Sequence, residues 1–472
     1  MSTNSDLKQI SRRHFLGGAA LLGGFSPLAL QLAASNASAS GNDYRALVCL
    51  YLDGGLDHFH TLIPTDRTNY DSLRAQRAGI AMPDLSALTS LTTRTAQGGR
   101  TAALHPSLRR MKQFYDAGKM AVVFGHGVMD APGTKAQLLN GSVRLPEAMG
   151  SHNNGDFAIH TFGGDGTRYG WGGQALDVLS SLNPDSMFAS MGVGPINNAF
   201  SSGRTTELIK ADVTGRAMNL AGLNSPIFGS TVASAELDAL MKRTNLVNPI
   251  EQDYLRVNKR QMDSYAQLNE VFAATADLAP IPTDTSLPDY RMAWRDNDIA
   301  AALRTVARCI AARNTLRVQR QVFFVNMRNF DTHSNQAGDL DGRNFIRMDA
   351  AIGYFYDTLA SLGLTNNVTL FTTTEFGRSL KSNGDGTDHG WGGLSFVVGG
   401  AVKGGDIYGN LADVAVNSND MIDGAGSVRS IPSISNQQYC ATLASWLGVP
   451  DSVLPDIFPN LNRFSPSKLG FL

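Results

Sequence analysis

Hydrophobic positions along this chain fall into short uninterrupted runs, separated by longer stretches with helical spacing. Residues 46–52, 120–125, 321–327, 368–373 and 394–398 are apolar or β-branched at nearly every position. Such runs suit central strands covered on both faces. A weaker run, 188–193, reads as a further strand. Between these runs, 104–117, 174–182, 296–313 and 345–362 return apolar residues every three or four positions, as amphipathic helices do. Strands alternating with long helices predict an α/β fold, a mainly parallel sheet with helices on both faces. Residues from about 195 to 290 are less regular, with helical stretches at 233–243 and 253–276, and read as a cap or insertion.

In open α/β sheets, ligands gather outside the carboxyl ends of the strands, and here those ends carry ionisable groups. The first run leads into Asp53, Asp57 and His58, the second into His126, and the third into Asp331-Thr332-His333. The fourth leads into Thr374-Glu375-Phe376-Gly377-Arg378, and a glycine-rich loop then brings Asp388-His389. One such carboxylate alone is commonly a helix cap. Together they predict a polar metal or acid–base site. Mixed carboxylate and imidazole donors suit zinc, manganese or iron, and a pair of ions could hold both oxygens of an in-line displacement. Asn383, Asp385 and Asp388 offer an all-oxygen calcium alternative. Ser151, before His152, is either a nucleophile or a helix cap, and no Gly-x-Ser-x-Gly elbow surrounds it. Arg378 could grip an oxyanion with its fork of donors or pair with Glu375. A short repeat relates 164–173 to 384–393, with Arg168-Tyr169 standing in place of Asp388-His389. It reads either as two turns before packed tryptophans or as two walls of one cleft.

The chain has 472 residues, enough for one large α/β domain or two smaller ones. Its formal net charge of -1 gives no electrostatic reason to expect nucleic acid or an anionic membrane. The 48 glycines show no collagen-like period, so they predict long shaped loops. Cys49, Cys309 and Cys440 lie in apolar contexts without metal-ligand spacing and read as buried thiols. Ser11-Arg12-Arg13-His14-Phe15-Leu16 is a twin-arginine pattern, followed by a weakly apolar, glycine-bearing run and the small residues Ala37-Ser38-Ala39. It predicts export through the twin-arginine (Tat) translocase, cleavage after Ala39, a periplasmic or secreted protein, and no membrane span in the mature chain. The mature chain would carry 37 basic and 40 acidic residues, a formal -3.

At these motifs the chain resembles the DUF1501 family of exported bacterial proteins. The matching segments are 52–64, Ser151-His152, Gly170-Trp171, 330–336, 374–379 and 386–390. That family is similar to the alkaline phosphatase and sulfatase superfamily, which implies a three-layer α/β/α sandwich and often a two-metal site. By motif, Asp53 or Asp57, Asp331, His333, Glu375, Asp388 and His389 would be metal ligands and Ser151 the nucleophile. The implied activity is hydrolysis of a phosphate or sulfate ester, with a small molecule or glycan as substrate. The alternative is a non-catalytic exported binding protein that retains the fold. The chain departs from alkaline phosphatases at Asp331-Thr332-His333, where they carry Asp-x-x-x-His, and at Glu375-Phe376, where they carry Asp-His. The Cys-x-Pro-x-Arg nucleophile motif of sulfatases is absent.

Overall fold

A computed structural model describes residues 44–472, apart from 148, 163–167, 195–197, 217–225, 284–293, 295–296 and 425. The export signal and residues 164–167 of the short repeat lie outside the described residues. In chain order the strands are β1 (Arg45–Leu52), β2 (Leu62–Pro64), β3 (Ala102–Leu104), β4 (Met120–Gly127), β5 (Ser190–Val193), β6 (Ile209–Ala211), β7 (Arg320–Met327) and β8 (Val368–Thr373). They continue with β9 (Arg378–Ser382), β10 (Thr387–His389), β11 (Gly393–Val398), β12 (Asp406–Tyr408), β13 (Met421–Gly424), β14 (Ser427–Ser430) and β15 (Ile434–Ser435).

The main sheet runs β12-β4-β11-β8-β1-β7-β5-β6, with β15 added beside β4. All its pairings are parallel except those of β11, which runs antiparallel to both β4 and β8. β1 explains the unbroken apolar run. Ala46, Val48, Leu50 and Leu52 enter the core shared with helices Asp298–Ala311, Phe345–Ser361 and Arg109–Asp116. The alternate positions face the other layer, where Tyr51 meets His160 at 5.1 Å and Phe371, beside Cys49 in register, packs on Trp171. Helices Asn436–Leu447, Trp171–Val178 and His152–Thr161 make that second layer. The result is a three-layer α/β/α sandwich with a mainly parallel central sheet. All three cysteines are buried and free.

Some boundaries differ from the sequence reading. The helix expected over 104–117 begins only at Arg109. Residues 102–104 instead pair with β2, and a turn closed by Leu108 N–H to His105 C=O (2.9 Å) holds Pro106 ahead of the helix. The irregular stretch 195–290 is not wholly a cap. It supplies the edge strand β6, and Leu268, Val271 and Phe272 of its helix Pro249–Ala274 are buried in the main core. Among the described residues no helix is long and apolar enough to cross a membrane.

Candidate metal centre

Three adjacent strands, β8, β1 and β7, end at one level, with Tyr51 beside Thr373 and Leu52 beside Met327. Their following loops interlock. Gly54 has φ +121°, and a Cβ there would sit 2.2 Å from the backbone nitrogen of Asp331, so only glycine lets these two loops touch. The Gly54 N–H donates to Glu375 Oε1 at 2.8 Å, which ties in the third strand end. The β9–β10 hairpin then folds back through Gly390 N–H to Gly377 C=O (2.7 Å) and presents Asp388 and His389 to the same place. Helix His152–Thr161 closes the group, approaching so near that a Cβ on Gly155 would lie 3.0 Å from Glu375 Cβ.

Three histidines meet there, and their outer hydrogen bonds decide what the inner atoms do. Nδ1 of His152 lies 2.7 Å from Glu375 Oε1, Nδ1 of His333 lies 3.1 Å from Asp388 Oδ1, and Nδ1 of His389 lies 2.6 Å from the Gly150 carbonyl. Carboxylates and carbonyls only accept, so each Nδ1 donates its proton and each neutral ring carries its lone pair on Nε2. The three Nε2 atoms converge on one carboxylate. That of His152 is 3.3 Å from Asp331 Oδ2, and those of His333 and His389 are each 3.1 Å from Asp331 Oδ1. The latter two nitrogens are 3.0 Å apart. Without an ion, protons on these Nε2 atoms bridge the rings to Asp331, and a cation would take the place of those protons. One ligand atom each from His152, Asp331 and His389 lies within 4.8 Å of the others. Imidazoles oriented by carboxylate or carbonyl acceptors are the usual setting of a histidine-bound metal. The donor set of two imidazoles and a carboxylate, with His333 beside it, fits zinc, manganese or iron.

The local charges favour an ionised carboxylate at the centre. Burial opposes ionisation of Asp331, but the His389 hydrogen bond and the charges of Arg378, His333 and His152 prevail, holding its carboxyl well below the usual range. The bond to Glu375 raises the pKa of His152 despite partial burial. Burial also works against Asp388, whose bonds from Asn383 and His333 nonetheless lower its pKa. Asp53 goes the other way. Burial raises its pKa, the Asn326 bond (3.1 Å) counters that in part, and Glu375 and Asp156 add repulsion.

Of the residues singled out from sequence, Asp331, His333 and His389 therefore stand at the centre, and Glu375 and Asp388 stand one step out, each on a histidine. Asp53 lines the adjoining open cleft of about 500 Å³ with His152, Asp331, Arg328 and Arg343. Asp57 is elsewhere. It is fully buried, caps the helix at His58 through the N–H groups of Phe59 and His60, and pairs with buried Arg77 at 2.7 Å. It also accepts from Gln336 (2.7 Å), whose own oxygen takes the hydroxyls of Thr332 and Thr387. Asp57 thus braces the two loops that carry the centre without entering it. Arg378 is wholly buried and pairs with Asp331 rather than Glu375, so its guanidinium is turned from solvent. Ser151 occupies the cap position of its helix, yet its hydroxyl makes no capping bond and touches no base among the described residues. The calcium set does not assemble, because Asp385 caps the Asn335 N–H and Asn383 donates to Asp388. His126 is buried between Asn436 (2.6 Å) and Ser395 (2.8 Å). Both packed tryptophans of the repeat are buried, Trp171 against Phe200 and Trp391 beside Met129. His152 was not picked out as a ligand. The Ser-His pair drew attention to the serine instead.

A second group, His60, His105 and Asp341, also brings ligand atoms within 4.8 Å. Its chemistry differs. Nδ1 of His105 accepts the Ser107 N–H at 3.2 Å, which puts the ring's proton on Nε2, facing Asp341 at 3.2 Å. With His60 Nε2 hydrogen-bonded at 2.7 Å to the same oxygen, this group is a polar clamp on Asp341. Burial notwithstanding, the two histidines hold the Asp341 pKa down at about 2.

Among solved structures, the chain is similar to Ps i-CgsB, determined in complex with k-i-k-neocarrahexaose. Identity there is 9%, over 89% of this chain and 77% of that one, with a TM-score of 0.33. It is also similar to the PsFucS1 sulfatase from Pseudoalteromonas sp., at 10% identity over 90% and 72% of the chains, TM-score 0.30. The alkaline phosphatase of the Antarctic bacterium TAB5 matches at 10% identity over 75% and 91%, TM-score 0.23. At these scores the likeness says nothing of activity. No curated protein matches the chain. The model of a family described as a protein of unknown function, DUF1501, matches residues 44–423, and the chain belongs to that family.

Proposed function

We propose that the protein is an exported, metal-dependent hydrolase of phosphate or sulfate esters. The observation that carries this reading is the convergence of three Nε2 atoms on Asp331, each ring held by an acceptor on its far side. A divalent cation bound there would supply Lewis acidity toward an ester oxygen. The chain's own residues supply the rest. Arg328 on the cleft wall offers donors to an oxyanion. Asp53 stands half-exposed on the same wall, within reach of a leaving group. Ser151, with no base on its hydroxyl, is not the nucleophile in this reading; water admitted by the open cleft is.

Metal analysis of the purified protein, followed by assay of the loaded form on p-nitrophenyl phosphate and p-nitrophenyl sulfate, tests the proposal. Stoichiometric metal with hydrolysis of either ester, lost in His389→Ala, supports it. Bound metal without hydrolysis supports the second reading, a non-catalytic exported binding protein, which the unactivated Ser151 hydroxyl favours. Export rests on the Arg12-Arg13 pattern. Replacing both by lysine should hold the full-length precursor in the cytoplasm, and periplasmic recovery of that variant would remove the Tat assignment.

A further inference from the structure

The cleft beside the metal centre does not end there. Arg328, Asn329 and Arg343 line both it and an adjoining cavity of about 360 Å³, whereas His152 and Asp331 line only the first. A ligand reacting at the centre and reaching past these residues therefore presents a second part to the two guanidiniums. Arg343 is the more telling of them. It lies in a widened π-type turn, Leu340–Asn344, pinned on both sides. Asp341 is clamped by His60 and His105, and Asn344 donates to the Asn329 carbonyl at 2.7 Å. Turns of this kind are costly and recur at functional sites. This one holds Arg343 over the cleft, where it makes no hydrogen bond or ion pair among the described residues. Nearby arginines differ: Arg347 pairs with Asp298, and Arg328 approaches Asp53 at 4.0 Å. Guanidiniums on a wall shared by both cavities fit a ligand that carries negative charge beyond the reacting group.

We infer that Arg343 forms a subsite for a second anionic group, so that the substrate is an ester bearing at least two phosphates or sulfates. This rests on the ester-hydrolase reading and narrows it. One charged group sits at the Asp331 centre, and the other meets Arg343 across Asn329.

The test is calorimetric binding to the metal-loaded, full-length mature protein, which needs no turnover. The probes are fructose 6-phosphate against fructose 1,6-bisphosphate, and glucose 6-sulfate against glucose 3,6-disulfate. The pair that binds identifies the ester type. The doubly charged ligand should bind about tenfold more tightly than its partner, a charge-assisted hydrogen bond's worth. Arg343→Ala should abolish that preference while leaving the singly charged ligand unchanged, and Arg343→Lys should keep part of it. Equal affinity for both members of the pair in the wild type overturns the inference alone, as does a preference that survives Arg343→Ala. If neither member of either pair binds the wild type, the inference and the ester reading fall together.

Discussion

Replacing Glu375 by glutamine asks whether the metal reading of the histidines is right without touching a proposed ligand. The carboxylate is almost wholly buried, and it accepts from His152 Nδ1, the Gly54 N–H and the Tyr51 hydroxyl (3.0 Å). Glutamine keeps an oxygen for His152 and Gly54, and its NH₂ can donate to a Tyr51 hydroxyl that turns to accept, so the ring should stay in place. What is lost is the negative charge that makes His152 more basic. Changes to such outer partners typically weaken metal binding 10- to 100-fold, or about 1.4 to 2.8 kcal/mol. Competition with a chromophoric zinc chelator at pH 8 should show a weakening in that range, while thermal melts of the metal-free proteins coincide. The gap should narrow in acid. The raised His152 pKa makes protons compete harder for wild-type Nε2, and Glu375→Gln relaxes that competition. Zinc affinity within twofold of wild type at pH 8 would refute the reasoning, because His152 would then not be a ligand supported by Glu375.

Four further outcomes follow from the same geometry. His389→Ala should weaken zinc at least 100-fold, read by the same competition, because it removes a ligand rather than its support. Ser151→Ala should leave zinc affinity, and any ester hydrolysis, within twofold of wild type; a hundredfold loss of turnover would restore the serine as nucleophile. Asp57→Asn should destabilise the fold by about 3–5 kcal/mol in urea melts, since Arg77 would stay buried without its counter-charge. In the wild type, burial opposes the Asp57 charge but Arg77 overrides it and holds the folded pKa below the usual value. Its contribution is therefore fully present above about pH 4 and drains away as pH falls toward the folded value, an acid sensitivity that Asp57→Asn should lack.

The strands were readable because burial on both faces leaves nothing polar to interrupt them, as 46–52 and 321–327 show. Short elements held by tertiary pairing, such as β6, β12 and the β9–β10 hairpin, carry too few residues to set a period. At the centre, Asp331, His333 and His389 could be found because each follows a strand or turn that the sequence marks. The division between ligands and their supports could not, since it depends on which ring nitrogen meets which acceptor, and one acceptor is the backbone carbonyl of Gly150. Asp57 misled for a related reason. A carboxylate at a strand end looks the same in sequence whether it turns to the cleft or caps a helix, and the Arg77 that decides the matter lies 20 residues away.

The four inner residues come from three segments, helix His152–Thr161, the loop after β7 and the end of β10, which stand far apart in any unfolded chain. The site is a product of folding, and metal selection then happens wherever folding happens. A cation present at 100 times its dissociation constant would add about 2.7 kcal/mol to stability, enough for the melting temperature to report loading. If, as proposed, the chain binds a metal and is exported already folded, its ion would be the one on offer in the cytoplasm, chosen by the cell's internal metal supply and not by the surroundings outside.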